Sequence, residues 1–239
     1  QNFLDRLILK NAKFILTVSP LFGEDLRQFC SKSEVIKPMI DIKIEDLKRD
    51  RFFGHKHKKN LLFVGRVEER KGIYELLEIA KSLKQNQLDF TLNIVGGGNL
   101  FNIVKAKISK NGLEDHVILH GLISDKIELK RMYDKADIFV FTSHDEGFPR
   151  VLYEAMSSAL PIFTTFVGGI SGRMTDLENC IEIPVQNSTK ASEIILKYFN
   201  DESKLQGIGM QGLKTVEKII DGQYITHEEL LIRNLDFEN

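Results

Sequence analysis

Cysteine is scarce in this sequence, whose 239 residues include only Cys30 and Cys180, and the two form no Cys-x-x-Cys pair. This scarcity excludes a disulfide framework and fits a reducing compartment, although secretion of a disulfide-free protein stays open. No uninterrupted apolar run reaches the roughly 20 residues that a membrane-spanning helix needs. The N-terminal stretch does not resemble a signal peptide, because four charged side chains interrupt its apolar residues.

Net charge is also nearly absent, since 33 Lys and Arg residues face 34 Asp and Glu residues, which gives a formal charge of −1. We therefore expect no nucleic acid partner, and global charge does not favour an anionic membrane surface. The 42% of hydrophobic residues can build at least one sizeable core, and the length allows one large domain or one domain with an appendage. Because the sequence begins with Gln, we expect it to be a piece of a longer protein.

Short apolar runs alternate with helical periodicity from residue 60 onward. This order predicts a doubly wound α/β fold, in which helices cover both faces of a mainly parallel sheet. Ligands of such sheets bind beyond the carboxyl ends of the strands, where the following loops should line one crevice. The predicted strands are 61–64, 90–95, 117–120, 137–142, 161–165 and 181–185, and the predicted helices are 73–83, 99–110, 126–135, 151–159 and most of 188–237.

The remaining segments predict smaller units around a ligand-binding domain at 60–220. Residues 1–41 are too few to fold alone, and their pattern predicts a strand, a helix and a strand. Residues 42–59 are dense in charge and are interpreted as an exposed linker, whose basic cluster at 55–59 is more typical of a solvated hinge than of a phosphate contact. Residues 221–239 predict a C-terminal helix that docks on this sheet or on a missing domain.

The first motif that carries chemistry is GRVEERKG, directly after the strand at 61–64. Gly65 lets the backbone approach a ligand, and Arg66 and Lys71 place two cations near the start of a helix, which suits a diphosphate. The spacing is not that of a P-loop. Two surface cations balanced by Glu68 and Glu69 are the alternative, and spacing alone favours it.

The second motif is the triple glycine at 96–98, again at the end of a strand. It indicates a tight turn or a close approach of the backbone to a ligand, and the turn is the favoured interpretation. A full Gly-x-Gly-x-x-Gly pattern is absent, and Leu119, about 20 residues on, is apolar. A nicotinamide dinucleotide site therefore has little support.

The third motif, SHDEGFPRVLYEA, contains two glutamates eight positions apart at the start of a helix. Pro149 places Glu146 in the loop and Glu154 in the second helical turn, where both can face the crevice. The carboxylates can accept hydrogen bonds from sugar hydroxyls, and the N–H groups of the helix start can hold phosphate oxygens. The alternative is one acid favoured by the helix dipole and one solvated acid. His144 is adjacent, but a polar loop histidine is more often a bystander than a base.

In combination, these motifs resemble the C-terminal, donor-binding half of a GT-B glycosyltransferase of the large retaining family 4, the glycosyl transferases group 1. The match runs from about residue 60 to 220, and the N-terminal segment ILTVS resembles the end of the family's acceptor domain. The matching elements, in the family's order, are FVGRVEERKG, LNIVGGG, HGLIS with the later ADIFVFTS, and EGFPRVLYEA followed by PIFTTFVGG.

The resemblance implies a Rossmann-like domain of a hexosyltransferase-type enzyme. Such an enzyme moves a sugar from a UDP- or GDP-sugar to a carbohydrate or lipid-linked acceptor in glycan or polysaccharide biosynthesis. The alternative is a sugar-nucleotide-binding module that transfers nothing because the N-terminal acceptor domain is missing. No cofactor and no metal are expected, since Arg, Lys and the helix start neutralise the diphosphate and no Asp-x-Asp triplet is present. We expect a cytoplasmic protein, and a peripheral contact with the inner face of the membrane stays open.

The resemblance also implies a role for each matching residue. Arg66 and Lys71 would clamp the diphosphate and stabilise the departing nucleoside diphosphate, and Glu146 would hold hydroxyls of the transferred sugar. Glu154 would bind the ribose hydroxyls. The other implied contacts are Gly65, the backbone of Gly147 and Phe148 for the sugar, that of Arg150 and Val151 for the phosphates, and that of Leu122 and Ile123 for the base.

Overall fold

The computed structural model describes most of the chain. The described residues are 8–12, 15–17, 20–30, 33–35, 40–51, 58–147, 149–221 and 232. Phe148, most of the basic cluster at 55–59 and nearly all of the predicted C-terminal helix therefore lie outside the described residues.

The N-terminal unit has the predicted order of strand, helix and strand. Strand β1 (Ile15–Thr17) pairs in parallel with β2 (Ser33–Val35), and α1 (Pro20–Arg27) connects them and packs on both. The unit is separate from the main sheet, since its two strands form a sheet of their own.

The main domain is built on a six-stranded parallel sheet, which confirms the predicted fold class. Its strands are β3 (Lys59–Val64), β4 (Phe90–Val95), β5 (Val117–Gly121), β6 (Ile138–Phe141), β7 (Ile162–Thr164) and β8 (Ile181–Glu182). The helices are α2 (Ile73–Gln85), α3 (Phe101–Lys110), α4 (Lys126–Lys135), α5 (Arg150–Ser157), α6 (Ser188–Tyr198) and α7 (Glu202–Ile220).

The strand order β5-β4-β3-β6-β7-β8 determines where a ligand can bind. From β3 the chain moves outward to β4 and β5, then returns to β6 on the other side of β3 and continues to β7 and β8. The direction of winding therefore reverses between β3 and β6. Loops diverge at such a point and leave a crevice beyond the carboxyl ends of the strands.

Burial of their side chains explains why the central strands could be predicted from the sequence. Leu61, Leu62 and Phe63 in β3 are almost completely buried, as is all of β6, because helices cover both faces. At the edge of the sheet β8 is three residues shorter than predicted, since its partner strand β7 ends at Thr164. The helical region after residue 188 divides into α6 and α7 because the Asp201 side chain accepts a hydrogen bond from the N–H of Lys204 and caps α7.

The described part of the predicted linker contacts the main domain at several positions, while other residues of it are exposed. Leu47 is buried in the core, and the N–H of Lys48 donates to the carbonyl of Ser157 at 2.8 Å. Lys59 belongs to β3, and its buried Nζ lies 2.6 Å from Glu202 Oε1, so it is not a phosphate contact. The local sequence pattern could not predict these contacts, because they are made to elements that come much later in the chain.

Arg51 makes the most extensive of these linker contacts. Its guanidinium donates to the carbonyls of Tyr133, at 2.8 Å, and of Ala136, at 2.6 Å, near the end of α4, and to that of Ser158 at the end of α5. The final carbonyls of a helix have no partner within it, so one arginine satisfies two helix ends. Burial lowers the pKa of Arg51, although the nearby Asp134 and Asp137 oppose that effect.

We expect Arg51→Leu to lower the free energy of unfolding by about 3 kcal/mol, because three carbonyls lose a charged donor. Chemical denaturation measures this loss. Arg49→Leu is the matched control, since Arg49 forms an exposed ion pair with Glu217 and should contribute less than about 1 kcal/mol. Equal losses in the two variants would contradict the clamping role of Arg51.

Two further findings concern the thiols and membrane insertion. Cys30 and Cys180 are both buried, and neither is part of a disulfide. Within the described part of the chain, no helix is both long and apolar enough to cross a membrane.

Candidate functional site

Three loops meet at the carboxyl edge of the sheet. The N–H of Gly65, after β3, donates to the carbonyl of Val95 at the end of β4 (3.0 Å), and the N–H of Gly96 donates to the carbonyl of Gly121 at the end of β5 (2.7 Å). These backbone bonds hold the loops side by side at one wall of the crevice.

The triple glycine is explained by this contact between loops. A Cβ atom at Gly96, whose φ is +138°, would lie 1.9 Å from the carbonyl oxygen of Gly65, and one at Gly98 would lie 2.4 Å from that of Val67. Only glycine allows so close an approach. The sequence had suggested a turn or a bound ligand, and it did not suggest the neighbouring loop as the cause.

Lys71 and Glu146 meet at the point where the winding of the sheet reverses. Lys71 ends a short 3₁₀ helix after β3, and Glu146 lies in the loop between β6 and α5. The Lys71 ammonium forms an ion pair with Glu146 Oε1, and the two side chains are only 13% and 9% exposed. Ser143 Oγ donates to the same carboxylate oxygen at 2.8 Å. The pair is therefore a nearly buried cation and anion at the floor of the crevice.

Two contacts lock together the loops that carry this pair. Thr142 Oγ1, just after β6, donates to the carbonyl of Gly72 at 2.9 Å. A Cβ atom at Gly72 would lie 1.9 Å from the carbonyl oxygen of Thr142, and the φ of Gly72 is +67°. Glycine is thus required where the β3 and β6 loops touch, and the contact sets the distance between Lys71 and Glu146.

Arg66 does not join this pair. Its Nη1 lies 3.1 Å from Glu68 Oε1, and Arg70 Nε lies 3.3 Å from Glu68 Oε2. The side chains of the two arginines are 58% and 53% exposed. This arrangement is the balanced surface charge that the sequence offered as the alternative, although it involves Arg70 and not Lys71.

Glu154 lies within α5, as predicted. The hydroxyl of Tyr133, on α4, donates to Glu154 Oε2 at 2.7 Å. Glu154 and Arg150 both line a cavity of about 570 Å³ between α4, α5 and the segment 41–46. Val151 follows Arg150 in the first turn of α5, where unsatisfied N–H groups occur.

An exposed ion pair lies in the wall of this cavity. Lys126 Nζ, at the start of α4, lies 2.5 Å from Asp41 Oδ2, and both side chains are exposed. The hydrogen bond and the charge of Lys126 lower the pKa of Asp41, and Asp41 raises the pKa of Lys126 in turn. Residues 41–46 thus contribute to the cavity wall. Sequence reasoning missed this because it placed Asp41 at the end of the N-terminal unit and treated 42–59 as a linker.

The other predicted positions lie around the crevice. Gly147 follows Glu146 and has open space where a Cβ would be. Leu122 is largely exposed, and Ile123 packs partly against the core. Both follow β5 at the carboxyl edge of the sheet.

His144 contacts α2 and the loop after β3. Its backbone N–H donates to the carbonyl of Arg70 at 2.8 Å. Its ring Nε2 lies 3.1 Å from Glu75 Oε1, which is within ion-pair distance but outside hydrogen-bond geometry. These contacts hold the loop in place and fit the bystander interpretation. Among the described residues, no group of three or more His, Cys, Asp or Glu could hold a metal ion.

Comparisons with known proteins agree on one family. The model of the family described as "Glycosyl transferases group 1" matches residues 45–215. The capsular polysaccharide biosynthesis glycosyltransferase CapM of Staphylococcus aureus is 30% identical over 170 residues, which cover 70% of this chain and 43% of CapM. The amylovoran biosynthesis glycosyltransferase AmsK of Erwinia amylovora is 30% identical and is matched over 71% of this chain and 43% of AmsK. The chain thus spans less than half the length of these relatives.

Solved structures share the fold. The C-terminal domain of LpcC from Francisella tularensis, a glycosyl transferase group 1 family protein, is 25% identical with a TM-score of 0.61, over 72% of this chain and 88% of that chain. A TarM mutant from S. aureus, in complex with Fondaparinux, alpha-GlcNAc-glycerol and UDP, is 22% identical with a TM-score of 0.75, over 98% of this chain and 46% of that chain. HepE from Anabaena, in complex with UDP and glucose, is 17% identical with a TM-score of 0.75, over 98% of this chain and 65% of that chain.

Proposed function

The chain belongs to the glycosyl transferases group 1 family and has the fold of the C-terminal half of a GT-B protein, and on this premise we propose that it binds the sugar-nucleotide donor of a retaining glycosyltransferase. The whole protein then moves a hexosyl group from a nucleoside-diphosphate-sugar to a carbohydrate or lipid-linked acceptor. The biosynthetic roles in the names of CapM and AmsK support a place in polysaccharide synthesis. UDP in the TarM and HepE crystals makes a UDP-sugar the first donor to test, ahead of a GDP-sugar.

The ion pair of Lys71 and Glu146 is the observation that carries the proposal. Two opposite charges that are 13% and 9% exposed have lost most of their hydration and depend on each other. A sugar diphosphate offers a partner to each of them, because its phosphate oxygens are anionic and its hydroxyls donate hydrogen bonds. When the donor binds, each of the two charges would therefore exchange its present partner for a group of the donor, at little electrostatic cost.

The proposed chemistry places positive charge where negative charge develops. As the bond from the anomeric carbon to the phosphate oxygen breaks, charge grows on the nucleoside diphosphate, and Lys71 and Arg66 stabilise it. The exposed Arg66 side chain must exchange Glu68 for phosphate to do so. The N–H groups of Arg150 and Val151 hold further phosphate oxygens. These groups supply the charge without a metal, so we propose that none is needed.

The favoured mechanism is a front-face substitution. The acceptor hydroxyl attacks the anomeric carbon on the face from which the diphosphate leaves, so the configuration is retained. A phosphate oxygen of the leaving group takes the proton of that hydroxyl. Glu146 holds hydroxyls of the transferred sugar during this step, with the backbone at Gly147 beside it.

Two further features belong to the proposal. Glu154 binds the ribose hydroxyls, and the backbone near Ile123 meets the base. The site of action is the cytoplasm, with a peripheral contact with the inner face of the membrane when the acceptor is lipid-linked. The alternative function is a module that binds the sugar nucleotide and transfers nothing, and the match to only 43% of CapM is the observation that keeps it open.

Calorimetric titration with UDP, GDP and their sugars, followed by an assay of donor consumption, tests the proposal. We expect binding of one nucleotide, and we expect Glu154→Ala to weaken it by about tenfold or more, since a charged hydrogen-bond acceptor is lost. Arg66→Ala should reduce turnover more than nucleotide affinity, because its charge acts on the departing group.

Arg70→Ala is the matched control for Arg66, since both arginines are exposed and both pair with Glu68. It should leave turnover within about twofold, as expected for a weak surface ion pair. Binding without turnover would favour the binding module. Absence of nucleotide binding would reject both functions, and unchanged behaviour of Glu154→Ala and Arg66→Ala would reject this placement of the crevice.

A further inference from the structure

A buried tyrosine holds one oxygen of Glu154. Tyr133 is only 2% exposed, and its hydroxyl donates to Glu154 Oε2 at 2.7 Å. Burial, together with the negative charge of Glu154, raises the pKa of Tyr133 well above its usual value. The hydroxyl therefore keeps its proton at physiological pH and acts as a permanent donor to the carboxylate.

Besides its bond to Glu154, Tyr133 is held by two further contacts. Its ring stacks on Phe139 of β6, with 5.8 Å between the ring centroids. Its carbonyl oxygen accepts a hydrogen bond from Arg51, at 2.8 Å. Arg51 also donates to the carbonyl of Ser158, which directly follows α5. The helix that carries Tyr133 and the helix that carries Glu154 are thus tied to the same guanidinium.

The consequence is a carboxylate with one oxygen restrained. A carboxylate has about four lone-pair directions on its two oxygens, and a hydrogen bond to Oε2 limits rotation of the group. Glu154 lines the cavity between α4 and α5, so the remaining acceptor positions can be presented to a ligand there. Restraint before binding lowers the entropy that a ligand must overcome.

We propose that Tyr133 is a positioning residue that orients Glu154 toward the ribose hydroxyls and thereby sets a preference for ribonucleoside over 2′-deoxyribonucleoside diphosphates. The inference rests on the proposed function, because it takes Glu154 as the ribose ligand. Tyr133 does not touch the ribose in this scheme. It acts only through the carboxylate, so its effect must disappear when that carboxylate is removed.

The test compares UDP with 2′-deoxy-UDP by calorimetry on the 239-residue chain and its variants. We expect the chain to bind UDP about tenfold more tightly, as for one hydrogen bond to a charged group. Tyr133→Phe should reduce this preference to less than about twofold, mainly by lowering the affinity for UDP. Tyr153→Phe, which removes the hydroxyl of a tyrosine that is 1% exposed on α5, should preserve the preference.

A double-mutant cycle separates positioning from a general loss of structure. If Tyr133 acts through Glu154, adding Tyr133→Phe to Glu154→Ala should change UDP affinity by less than about twofold, because the restrained group is already gone. A further loss in the double variant would overturn the inference. The inference would also be overturned if Tyr133→Phe lowered the affinities for UDP and 2′-deoxy-UDP by the same factor.

A chain that binds neither nucleotide would reject the proposed function itself, whereas sugar transfer with an unaltered preference in Tyr133→Phe would reject this inference alone.

Discussion

Replacing Lys71 by methionine is expected to reduce sugar transfer by about 100- to 1000-fold, the range found when one group that stabilises a developing negative charge is removed. Nucleotide affinity should fall much less, because other contacts to the nucleotide stay in place. The same substitution should lower the free energy of unfolding by about 3 kcal/mol, since it leaves Glu146 charged and nearly buried without its partner. Steady-state kinetics and chemical denaturation measure the two effects separately.

Adding Glu146→Gln to Lys71→Met distinguishes the structural role of Lys71 from its catalytic one. The double variant should recover most of the stability, because the uncompensated charge is gone, but it should recover no activity. Lys81→Met is the matched control, since Lys81 forms an exposed pair with Glu78 on α2 and should affect both quantities little. Activity near that of the unmodified chain in Lys71→Met would remove Lys71 from the reaction.

The strands and helices could be predicted from the sequence where the spacing of apolar residues matches the buried face or faces of one strand or helix. The β3 run Leu61 to Val64 is apolar throughout because both faces of the strand are covered, and α2 buries one helical face. The strand ends then place Gly65 and the loop of Glu146 at the same edge of the sheet. That much follows from local pattern and the geometry of parallel sheets.

Contacts between distant segments were not predictable from one sequence. Lys71 and Glu146 form a pair only because β3 is adjacent to β6 in the sheet, and the residue pattern does not state the strand order. The hydrogen bond of Tyr133 to Glu154 depends on how α4 packs beside α5. Arg51 was assigned to a linker because its three carbonyl acceptors belong to helix ends more than 80 residues away, at separations of 82, 85 and 107 residues.

Gly168→Ala is expected to reduce both sugar transfer and stability, although it changes no charged residue. The φ of Gly168 is +54°, and a Cβ atom there would lie 1.8 Å from the carbonyl oxygen of Glu146. The backbone cannot relieve such an overlap without moving the loop that carries Glu146, and the N–H of Gly169, which donates to that same carbonyl at 3.3 Å, would move as well. A displacement of about 1 Å at a reacting group costs about 100-fold in rate, so transfer should fall by at least that factor.

The stability of Gly168→Ala should fall by about 1–3 kcal/mol, from the left-handed conformation together with the overlap. Gly207→Ala is the matched control, because Gly207 lies within α7 with no atom within 4 Å of the added Cβ. Alanine there should stabilise the helix by about 0.5–1 kcal/mol and leave transfer unchanged. Calorimetric melting with donor-consumption kinetics measures both variants. If Gly168→Ala kept full transfer activity, the position of Glu146 would not matter to the reaction, and its assignment to the transferred sugar would have to be abandoned.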